Sequence, residues 1–378
     1  MKGRLKAVLD ARHISPHFPG IGRYVGNLAR ALPPLLEDGE EFTLLISRKG
    51  QPSGDRHPPG PTLTATIEVP ADPFSLAQQW QVPARLSGMD VYHSPYYLMP
   101  YRPGVPTVLT MYDLIPRLLP ELASGRTRVF FHLAVRLALR ASSHVIAISE
   151  STRRDLLRLY RLKPDNVTAI PLAAEESFRP VEREECETLR RRLGLPEFFG
   201  VYVGINKRHK NLVRLIEAWQ QTGDARSLII AGPWDPRYPE ARRAVVELGL
   251  EDRVRFLGPV DSGDLPALYS LADFCVQPSL AEGFGLTVLE AMACGTPVAC
   301  SDRSGLVEVA GSAALTFDPG QTEDIARALR VFLQDGEQRR EYARHGRARA
   351  AEFSWRAAAA ATLEIYRRFA YNSERSSP

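Results

Sequence analysis

Short apolar runs alternate with amphipathic stretches along most of the chain, a pattern that predicts buried strands alternating with helices. In the first half the predicted strands are 5–9, 42–46, 63–69, 91–95, 107–112, 144–148 and 167–172, with helices at 20–36, 124–141 and 153–160. In the second half the predicted strands are 200–203, 227–231, 254–257, 274–277 and 298–300, with helices at 212–220, 239–248, 265–272, 322–352 and 356–371. Such alternation is typical of doubly wound parallel sheets.

A charged segment without a strand pattern, residues 179–193, separates these two series. With 378 residues, the chain also exceeds the length that one hydrophobic core usually serves. We therefore predict an α/β protein with two Rossmann-like parallel-sheet domains facing each other across a cleft, at 1–178 and 179–355. A C-terminal helix and tail, 356–378, are expected to pack back on the first domain.

Composition indicates a folded protein without a nucleic-acid surface. Hydrophobic residues make up 44% and charged residues 24% of the chain, the net charge is only +4, and no basic stripe is clustered enough for nucleic acid. The segment 51–61, rich in Pro, Gly and charge, is predicted to be an exposed loop. No apolar stretch has the length of a signal peptide core or a membrane span, so a cytoplasmic location is expected.

The cysteines support the same location. They show no C-x-x-C pair and no metal-like spacing with histidine, and three of them lie in segments predicted to be core. We therefore expect reduced, buried thiols rather than disulfides or metal ligands at Cys186, Cys275, Cys294 and Cys300.

One stretch concentrates candidate chemistry: P-S-L-A-E-G-F-G-L-T-V-L-E-A-M-A-C-G-T-P, residues 278–297. It follows a predicted strand, contains a short helix and leads into the next strand. Gly283 and Gly285 allow a sharp turn where the helix begins, so that free N–H groups can point at an anion. Glu282 and Glu290 can only accept hydrogen bonds when ionised, which suits a ligand that combines an anionic part with several hydroxyls. A nucleotide sugar is such a ligand.

A basic loop precedes the first helix of the second domain. The segment G-I-N-K-R-H-K-N begins at Gly204 and carries Lys207, Arg208 and Lys210, a set suited to a diphosphate. Lys210 is a compact positive charge that can stabilise a departing nucleotide diphosphate. Alone, this segment would be interpreted as an exposed basic loop; together with the two-glutamate stretch on the same sheet, it favours a phosphate site.

The first predicted strand leads into a glycine-containing turn with Gly20 and Gly22 and then a helix. This arrangement resembles a phosphate-binding opening but lacks the third glycine of G-x-G-x-x-G, so a dehydrogenase is disfavoured. A plain tight turn explains the two glycines equally well without a nucleotide pocket elsewhere.

Polar residues end several strands of the first domain, where a doubly wound sheet forms its crevice. For each of them, capping of the next element is as good an explanation as catalysis. These residues are Asp10, His13, His93, Tyr112 and Asp113.

In the predicted helix 124–141, basic residues recur every fourth position at Arg128, His132, Arg136 and Arg140, beside the apolar Val129, Phe130, Leu133 and Leu137. Spacing of four places the basic groups on one stripe. The favoured interpretation is a solvated helix face. The alternative is a surface for an anionic acceptor or for lipid headgroups, and hence a peripheral contact with the inner face of a membrane.

The sequence resembles the retaining glycosyltransferases of the GT-B fold, of the family-4 type. Four segments carry the resemblance and span nearly the whole chain: P-G-I-G-R-Y, H-S-P-Y-Y-L-M-P with V-L-T-M-Y-D-L-I-P, V-G-I-N-K-R-H-K-N-L-V-R-L-I-E-A-W, and E-G-F-G-L-T-V-L-E-A-M-A-C-G-T-P-V. The last, an E-x7-E motif, is the most specific. The resemblance implies an acceptor-side first domain and a second domain that binds a nucleotide-sugar donor.

The resemblance also implies residue roles. Glu282 would lie beside the donor sugar, Glu290 would bind the ribose hydroxyls and Lys210 the diphosphate. Gly20 and Gly22 would approach the donor from the first domain, and the base would lie between positions 206 and 258, near Gly232 and Pro233. Backbone N–H groups for sugar and phosphate would come from Gly283, Phe284, Gly285 and Leu286.

Two departures from the family pattern affect the site. Tyr112 stands where many relatives have a histidine, and a tyrosine, whose free pKa is about 10, is a poor base near neutrality. We therefore assign Asp113 an orienting role. His209 stands where an arginine is common before Lys210, so Lys207 or Arg208 is expected to supply the second phosphate cation.

The resulting hypothesis is transfer of a sugar from a nucleotide diphosphate donor to an acceptor hydroxyl, with retention at the anomeric carbon. No metal is expected, because no D-x-D motif is present and Lys210 with helix amides can neutralise the diphosphate. The resemblance favours GDP-mannose and leaves UDP- and ADP-sugars open; a lipid-linked or cell-envelope glycan is the expected acceptor. The alternatives are a nucleotide-sugar epimerase of the same fold and a non-catalytic nucleotide-sugar binding partner. The oligomeric state is not determined by the sequence.

Overall fold

Two separate parallel sheets organise the chain in a computed structural model that describes residues 5–14, 19–47 and 65–375. Each sheet belongs to one of two units. Unit 1 comprises residues 1–172 and 354–378, and unit 2 comprises residues 173–353. The sequence placed these boundaries at 178 and 355. The segment 51–61, predicted to be an exposed loop, lies outside the described residues.

Unit 1 is built on seven strands: β1 (Lys6–Asp10), β2 (Glu41–Ser47), β3 (Ala65–Val69), β4 (Val91–Ser94), β5 (Thr107–Met111), β6 (His144–Ala147) and β7 (Val167–Ala169). They pair in the order β3-β2-β1-β4-β5-β6-β7, and every pairing is parallel. Its helices are α1 (Pro19–Ala31), α2 (Gln78–Gln81), α3 (Ile115–Leu118), α4 (Gly125–Ala141) and α5 (Glu150–Tyr160).

Unit 2 is built on six strands: β8 (Phe199–Val203), β9 (Ser227–Ala231), β10 (Val254–Gly258), β11 (Phe274–Gln277), β12 (Val298–Ser301) and β13 (Leu315–Phe317). They pair in the order β10-β9-β8-β11-β12-β13, again in parallel. Its helices are α6 (Arg183–Leu193), α7 (Leu212–Thr222), α8 (Glu240–Glu247), α9 (Leu265–Leu271), α10 (Leu286–Ala293), α11 (Gly305–Ala310), α12 (Thr322–Gln334) and α13 (Gly336–Ala350).

The last helix, α14 (Trp355–Arg375), belongs to unit 1 and packs on α1. The Tyr366 hydroxyl lies 2.5 Å from Nδ1 of His93, at the end of β4, and Nε of Arg367 donates to Glu40 Oε1 at 2.7 Å. The fold-class prediction of two doubly wound units with a C-terminal helix returning to the first is confirmed.

Several element predictions need correction. Helix α1 ends at Ala31 rather than at residue 36, because Pro33 and Pro34 force a separate 3-10 turn. The charged segment 179–193 contains α6, whose buried side carries Cys186 and Leu189 and was too sparse to be recognised among the charges. The predicted helix 322–352 is two helices, because Asp335 ends α12 and its side chain caps α13.

The strand orders place the crevices. In each sheet the connections reverse direction at one point, between β1 and β4 in unit 1 and between β8 and β11 in unit 2. Ligands of doubly wound sheets bind outside the carboxyl ends of the strands at this point. The loops that follow β8 and β11 are the basic loop and the two-glutamate stretch, so the fold of unit 2 brings together the two segments that carry its candidate chemistry.

Candidate functional site

An ion pair occupies the reversal point of the unit 2 sheet. Nζ of Lys210, in the loop after β8, lies 2.5 Å from Oε1 of Glu282, in the loop after β11. The two side chains are only 16% and 14% exposed. The Ser279 hydroxyl donates to the same glutamate oxygen at 2.6 Å. The structure therefore brings together the two residues for which the sequence analysis predicted the main roles.

Electrostatics keep this glutamate ionised and its neighbouring histidine neutral. Burial alone would raise the pKa of Glu282, but the positive charge of Lys210 and the hydrogen bonds from Lys210 and Ser279 lower it below its ordinary value. Burial, together with the positive charge of Lys210, lowers the pKa of His209 to about 4. At neutral pH the site thus holds one carboxylate, one ammonium group and an uncharged imidazole.

The turn before α10 depends on glycine. Gly285 has a φ of 123°, and a Cβ there would lie 2.8 Å from Cδ2 of Leu306. The Gly305 N–H donates to the Glu282 carbonyl at 3.1 Å, and a Cβ on Gly305 would lie 2.5 Å from the Gly283 oxygen. The loop after β12 is thus packed directly against the loop that carries Glu282. Helix α10 begins at Leu286, and its first N–H groups have no intrahelical acceptors.

Phe284 and Glu290 lie deeper in unit 2. Phe284 is 3% exposed, and its ring meets the Phe353 ring at 5.8 Å in a T-shaped arrangement. Glu290, on α10, is 1% exposed. Burial and the Glu290 charge together raise the pKa of Cys294 to about 12. The ribose role implied for Glu290 stays a prediction.

The basic residues of the loop after β8 differ in whether a carboxylate pairs with them. Gly204 follows the last residue of β8 and Gly232 the last residue of β9. A Cβ on Gly232 would overlap the Gly204 carbonyl oxygen, so the chain segments after these two strands approach as bare backbone. Arg208 is exposed and pairs with Glu240 at 2.9 Å, so its charge is already compensated by a neighbouring carboxylate. Lys207 forms no ion pair with another described residue and lies close enough to lower the pKa of His209. Of the two candidates for a second phosphate cation, Lys207 is the available one.

A small recess of about 10 Å³, roughly the room that one water molecule needs, lies beside the same strand ends in unit 2. Its walls include Gly204, Asn206, Gly232, Pro233 and Trp234, within the region where the family resemblance placed a nucleotide base. The Asn206 side chain fixes one wall by donating to the carbonyls of Asp235 and Tyr238, at 2.8 and 2.7 Å.

The strand-end residues of unit 1 mostly have structural partners. Asp10 is fully buried, accepts from Arg12 at 2.7 Å and from the Tyr92 hydroxyl at 2.7 Å. His93 is fully buried between Tyr366 and Thr110, and burial lowers its pKa to about 3. Asp10 and His93 thus bond to distant parts of the chain, which indicates a structural role for both.

Tyr112, His13 and Asp113 are placed differently. The Tyr112 hydroxyl and both His13 ring nitrogens are buried without a hydrogen-bond partner among the described residues. Burial, with Tyr24 nearby, raises the Tyr112 pKa well above 10, so this hydroxyl stays protonated and cannot act as a base. Asp113 accepts a hydrogen bond from the Ile115 N–H at 3.0 Å. Its charge lies close enough to Tyr96 to add to the effect of burial, which raises the pKa of Tyr96.

Gly20 and Gly22 lie in the first turn of α1, not in a loop ahead of it. Gly20 is exposed, and a Cβ there would meet nothing within 4 Å, whereas Gly22 is buried. Local packing therefore does not explain why position 20 is a glycine. The approach of Gly20 and Gly22 to a donor stays a prediction.

Sequence reasoning missed three residues that shape this part of unit 2, two beside the ion pair and one at the recess. Ser279 lies three residues before Glu282, and that short spacing is a signal that could have been used. Gly305 lies at the turn between β12 and α11. Gly285 lies at the corresponding turn between β11 and α10, and its importance was recognised from the sequence. Nothing in the sequence shows that Asn206 would bond across to the loop after β9.

Comparison with known proteins agrees with this geometry. The family model for glycosyl transferases group 1 matches residues 187–349, and that for glycosyltransferase family 4 matches residues 19–177. The chain is 30% identical to O-antigen chain mannosyltransferase B of Escherichia coli, over 73% of this chain and 74% of that protein. It is 31% identical to D-inositol 3-phosphate glycosyltransferase of Saccharomonospora viridis, over 92% and 89%. Sucrose-phosphate synthase from Thermosynechococcus elongatus is similar in structure, with a TM-score of 0.74, 26% identity and coverage of 97% and 99%.

Proposed function

Because this chain belongs to the glycosyltransferases of group 1 and family 4, and is therefore a glycosyltransferase, we propose that it transfers mannose from GDP-mannose to an acceptor hydroxyl with retention at the anomeric carbon. The observation that carries the proposal is the Lys210–Glu282 ion pair at the reversal point of the unit 2 sheet. The choice of mannose is supported by the similarity to a protein named as a mannosyltransferase. A lipid-linked or cell-envelope glycan is the proposed acceptor.

The donor is held by unit 2 in this proposal. A lysine ammonium has three N–H donors, so Lys210 can bond to a diphosphate oxygen while it keeps its contact with Glu282. Glu282, ionised by the same lysine, then accepts hydrogen bonds from sugar hydroxyls. The N–H groups from Gly283 to Leu286 face the phosphate or the sugar, and Glu290 bonds the ribose.

The bond changes follow from these charges. The bond from the anomeric carbon to the diphosphate oxygen breaks, and a bond to the acceptor oxygen forms on the same face of the sugar. The leaving diphosphate gains negative charge, which Lys210, Lys207 and the α10 amides stabilise without a metal ion. A diphosphate oxygen takes the acceptor proton. Tyr112 does not serve as the base, since its hydroxyl is buried and its pKa lies well above 10.

Unit 1 selects the acceptor in this proposal. Asp113 lies near the half-buried Tyr96 and Tyr97, whose hydroxyls are 3.0 Å apart. A carboxylate beside two phenolic groups can orient the hydroxyls of a sugar. Asp113 therefore keeps the orienting role that the sequence suggested.

A panel of nucleotide sugars tests the donor. GDP-mannose should raise the unfolding temperature more than UDP-glucose or ADP-glucose at equal concentration, because a ligand that binds the folded state stabilises it by mass action. Glu282→Ala should abolish transfer while the protein remains folded. If only another nucleotide sugar stabilises the protein, the assignment of GDP-mannose as donor is wrong, but the proposed transferase activity still holds. Normal turnover in Glu282→Ala would contradict the proposed site.

Product analysis tests the reaction. Incubation with donor and no acceptor should leave the sugar unchanged, whereas an epimerase would alter it and a binding protein would bind the donor without transferring it to any acceptor. An α-linked product from an α-linked donor shows retention. Loss of activity in EDTA that a divalent ion restores would overturn the metal-free route.

A further inference from the structure

Helix α4 in unit 1 carries apolar side chains on its solvent-facing side. The exposed fractions are 69% for Val129, 58% for Phe130, 57% for Leu133 and 36% for Leu137. Among the described residues nine large hydrophobic side chains are exposed, and these are four of them. An apolar cluster of this kind on a folded protein marks an interaction site, whereas single exposed apolar residues do not.

The fold of unit 1 does not need these side chains. The core side of α4 is filled by a complete second set at the spacing of one helix face: Phe131, Ala134, Val135, Ala138 and Leu139. The four exposed residues lie on the opposite side, which corrects the grouping suggested by sequence. A feature that stability does not require is best explained by a contact outside the unit.

Arginines share this side of the helix. At about 100° per residue, Arg126, Arg136 and Arg140 fall within the same arc of roughly 120° as the four apolar residues. The stripe predicted from spacing, which runs through Arg128 and His132, only partly overlaps this arc.

These arginines carry uncompensated charge. Helix α4 contains no acidic residue, and none of its arginines forms an ion pair or side-chain hydrogen bond within the part of the chain that the structure describes. The neighbouring α5 differs, because Arg153 and Arg158 pair with Glu150 and Asp155, each at 2.8 Å. The positive charge of α4 is thus available to an anionic surface.

We propose that the α4 docking face, defined by Val129, Phe130, Leu133 and Leu137 with Arg126, Arg136 and Arg140, binds the surface of a membrane that contains anionic lipids. The apolar side chains enter the boundary between headgroups and acyl chains, and the arginines extend to the phosphates. No helix among the described residues is both long and apolar enough to cross a bilayer, so the contact is peripheral.

A second copy of the chain fits this face poorly. In a two-fold dimer the same patch lies on both subunits, so the arginines of one α4 would oppose those of the other with no acidic residue on the helix to compensate. An anionic lipid surface offers the complementary charge, and each basic residue near such a surface contributes about 1 kcal/mol.

Vesicle sedimentation of the full chain tests the proposal, which does not depend on enzymatic activity. The protein should sediment with vesicles of phosphatidylcholine mixed with phosphatidylglycerol, and much less with phosphatidylcholine alone. Phe130→Ser with Leu133→Ser should lose binding. Arg136→Glu with Arg140→Glu should weaken it by at least about 25-fold, as roughly fivefold for each lost arginine corresponds to about 1 kcal/mol.

Matched controls come from unit 2. Arg340 and Arg344 form another exposed arginine pair four residues apart, on α13, and Val246 is 64% exposed on α8. Arg340→Glu with Arg344→Glu, and Val246→Ser, should bind as the unaltered chain does. Equal loss in the two arginine pairs would show general charge attraction and overturn the assignment to α4. Failure of the unaltered chain to sediment with anionic vesicles would also overturn the proposal.

Site-specific labelling supplies a second readout. All four native cysteines are buried, so Phe130→Cys and Val246→Cys each add one exposed thiol. A polarity-sensitive dye at position 130 should shift to shorter wavelength with anionic vesicles, and the dye at 246 should not. A shift at position 130 that occurs without vesicles as protein concentration rises, with a doubled mass in light scattering, would identify a dimer face and overturn the proposal.

Discussion

The carboxyl ends of the two sheets hold their polar residues in different ways. In unit 2, Lys210, Glu282 and Ser279 form one hydrogen-bonded group, in which the positive charge of Lys210 compensates the negative charge of Glu282. In unit 1, Asp10 forms hydrogen bonds with Arg12, and His93 forms one with Tyr366. The Tyr112 hydroxyl has no hydrogen-bond partner among the described residues. The difference indicates that unit 2 holds a preformed polar site, whereas Asp10 and His93 maintain the structure of unit 1.

After the loss of transfer expected for Glu282→Ala, the largest effect is expected at Lys210. Lys210→Ala should lower kcat/KM by roughly 10²–10³-fold, the cost of removing one preorganised group that stabilises developing charge. Lys207→Ala, in the exposed part of the same loop, should lower it much less. Steady-state kinetics with a saturating acceptor measure both, and equal losses would show that the buried pair has no special role.

A backbone change in unit 2 comes next. Gly305→Ala should destabilise the protein by about 1–3 kcal/mol, since the added Cβ would lie 2.5 Å from the Gly283 oxygen and the loop of Glu282 would have to shift. Urea unfolding measures the change. Gly263→Ala is the matched control, because a Cβ there meets nothing within 4 Å. A neutral Gly305→Ala would mean that the two loops do not constrain each other.

Acid should weaken unit 1 before unit 2. Burial lowers the pKa of His93 to about 3 from 6.5, so below pH 6.5 the unfolded chain takes up a proton that the folded unit does not, and stability falls by roughly 1.4 kcal/mol per pH unit. Burial also lowers the pKa of His13 and His144, both in unit 1, to about 4. In unit 2, burial lowers the pKa of His209 to about 4, so unit 1 contributes three such histidines and unit 2 contributes His209.

Glu282 does not contribute to this slope. Its folded pKa is lowered, so its stabilisation is complete above its unfolded value of 4.5 and is lost only as pH falls through the folded value. Hydrogen exchange in urea at pH 7 and pH 5, read by mass spectrometry, should show the larger loss of protection in unit 1, and His93→Gln should reduce the pH dependence there. Equal losses in the two units would contradict the comparison.

A smaller effect is expected at Ser304, beside the Glu282 loop. This residue has φ 57° and ψ −144°, a conformation that costs a non-glycine residue about 1 kcal/mol or more. Ser304→Gly should therefore raise stability by about that amount in thermal unfolding. Ser304→Ala, which removes the hydroxyl but keeps Cβ, should give no gain. Equal stability of all three proteins would show that the backbone is not strained there.

The smallest effect is expected at Tyr112. Tyr112→Phe removes a hydroxyl that bonds to no described residue, so stability should change by less than about 1 kcal/mol and activity should be nearly unaffected. Tyr92→Phe is the contrast, because it removes a 2.7 Å hydrogen bond to buried Asp10 and should cost about 1.5–3 kcal/mol. A large loss of activity in Tyr112→Phe alone would restore Tyr112 to the catalytic group.

The sequence predicted the sheets well because central parallel strands are continuous apolar runs, and the runs at β8 and β11 are followed by the two motifs. It missed β13, which is three residues long, and α6, whose two buried residues are lost among charges. The roles of Asp10 and His93 depend on partners 82 and 273 residues away, such as Tyr92 and Tyr366, which no local pattern reveals. The exposed side of α4 was misjudged because an arginine stripe of period four does not show which apolar set faces the core.

The return of α14 to unit 1 has a consequence for biosynthesis. Unit 2 is one uninterrupted stretch, whereas unit 1 needs both ends of the chain, including Tyr366 at the buried face of His93. Because a ribosome delivers the chain from its N-terminus, unit 2 has all its residues before unit 1 does, although unit 1 begins first. The first unit to emerge is completed after unit 2, and the bond between His93 and Tyr366 forms only after α14 has been translated.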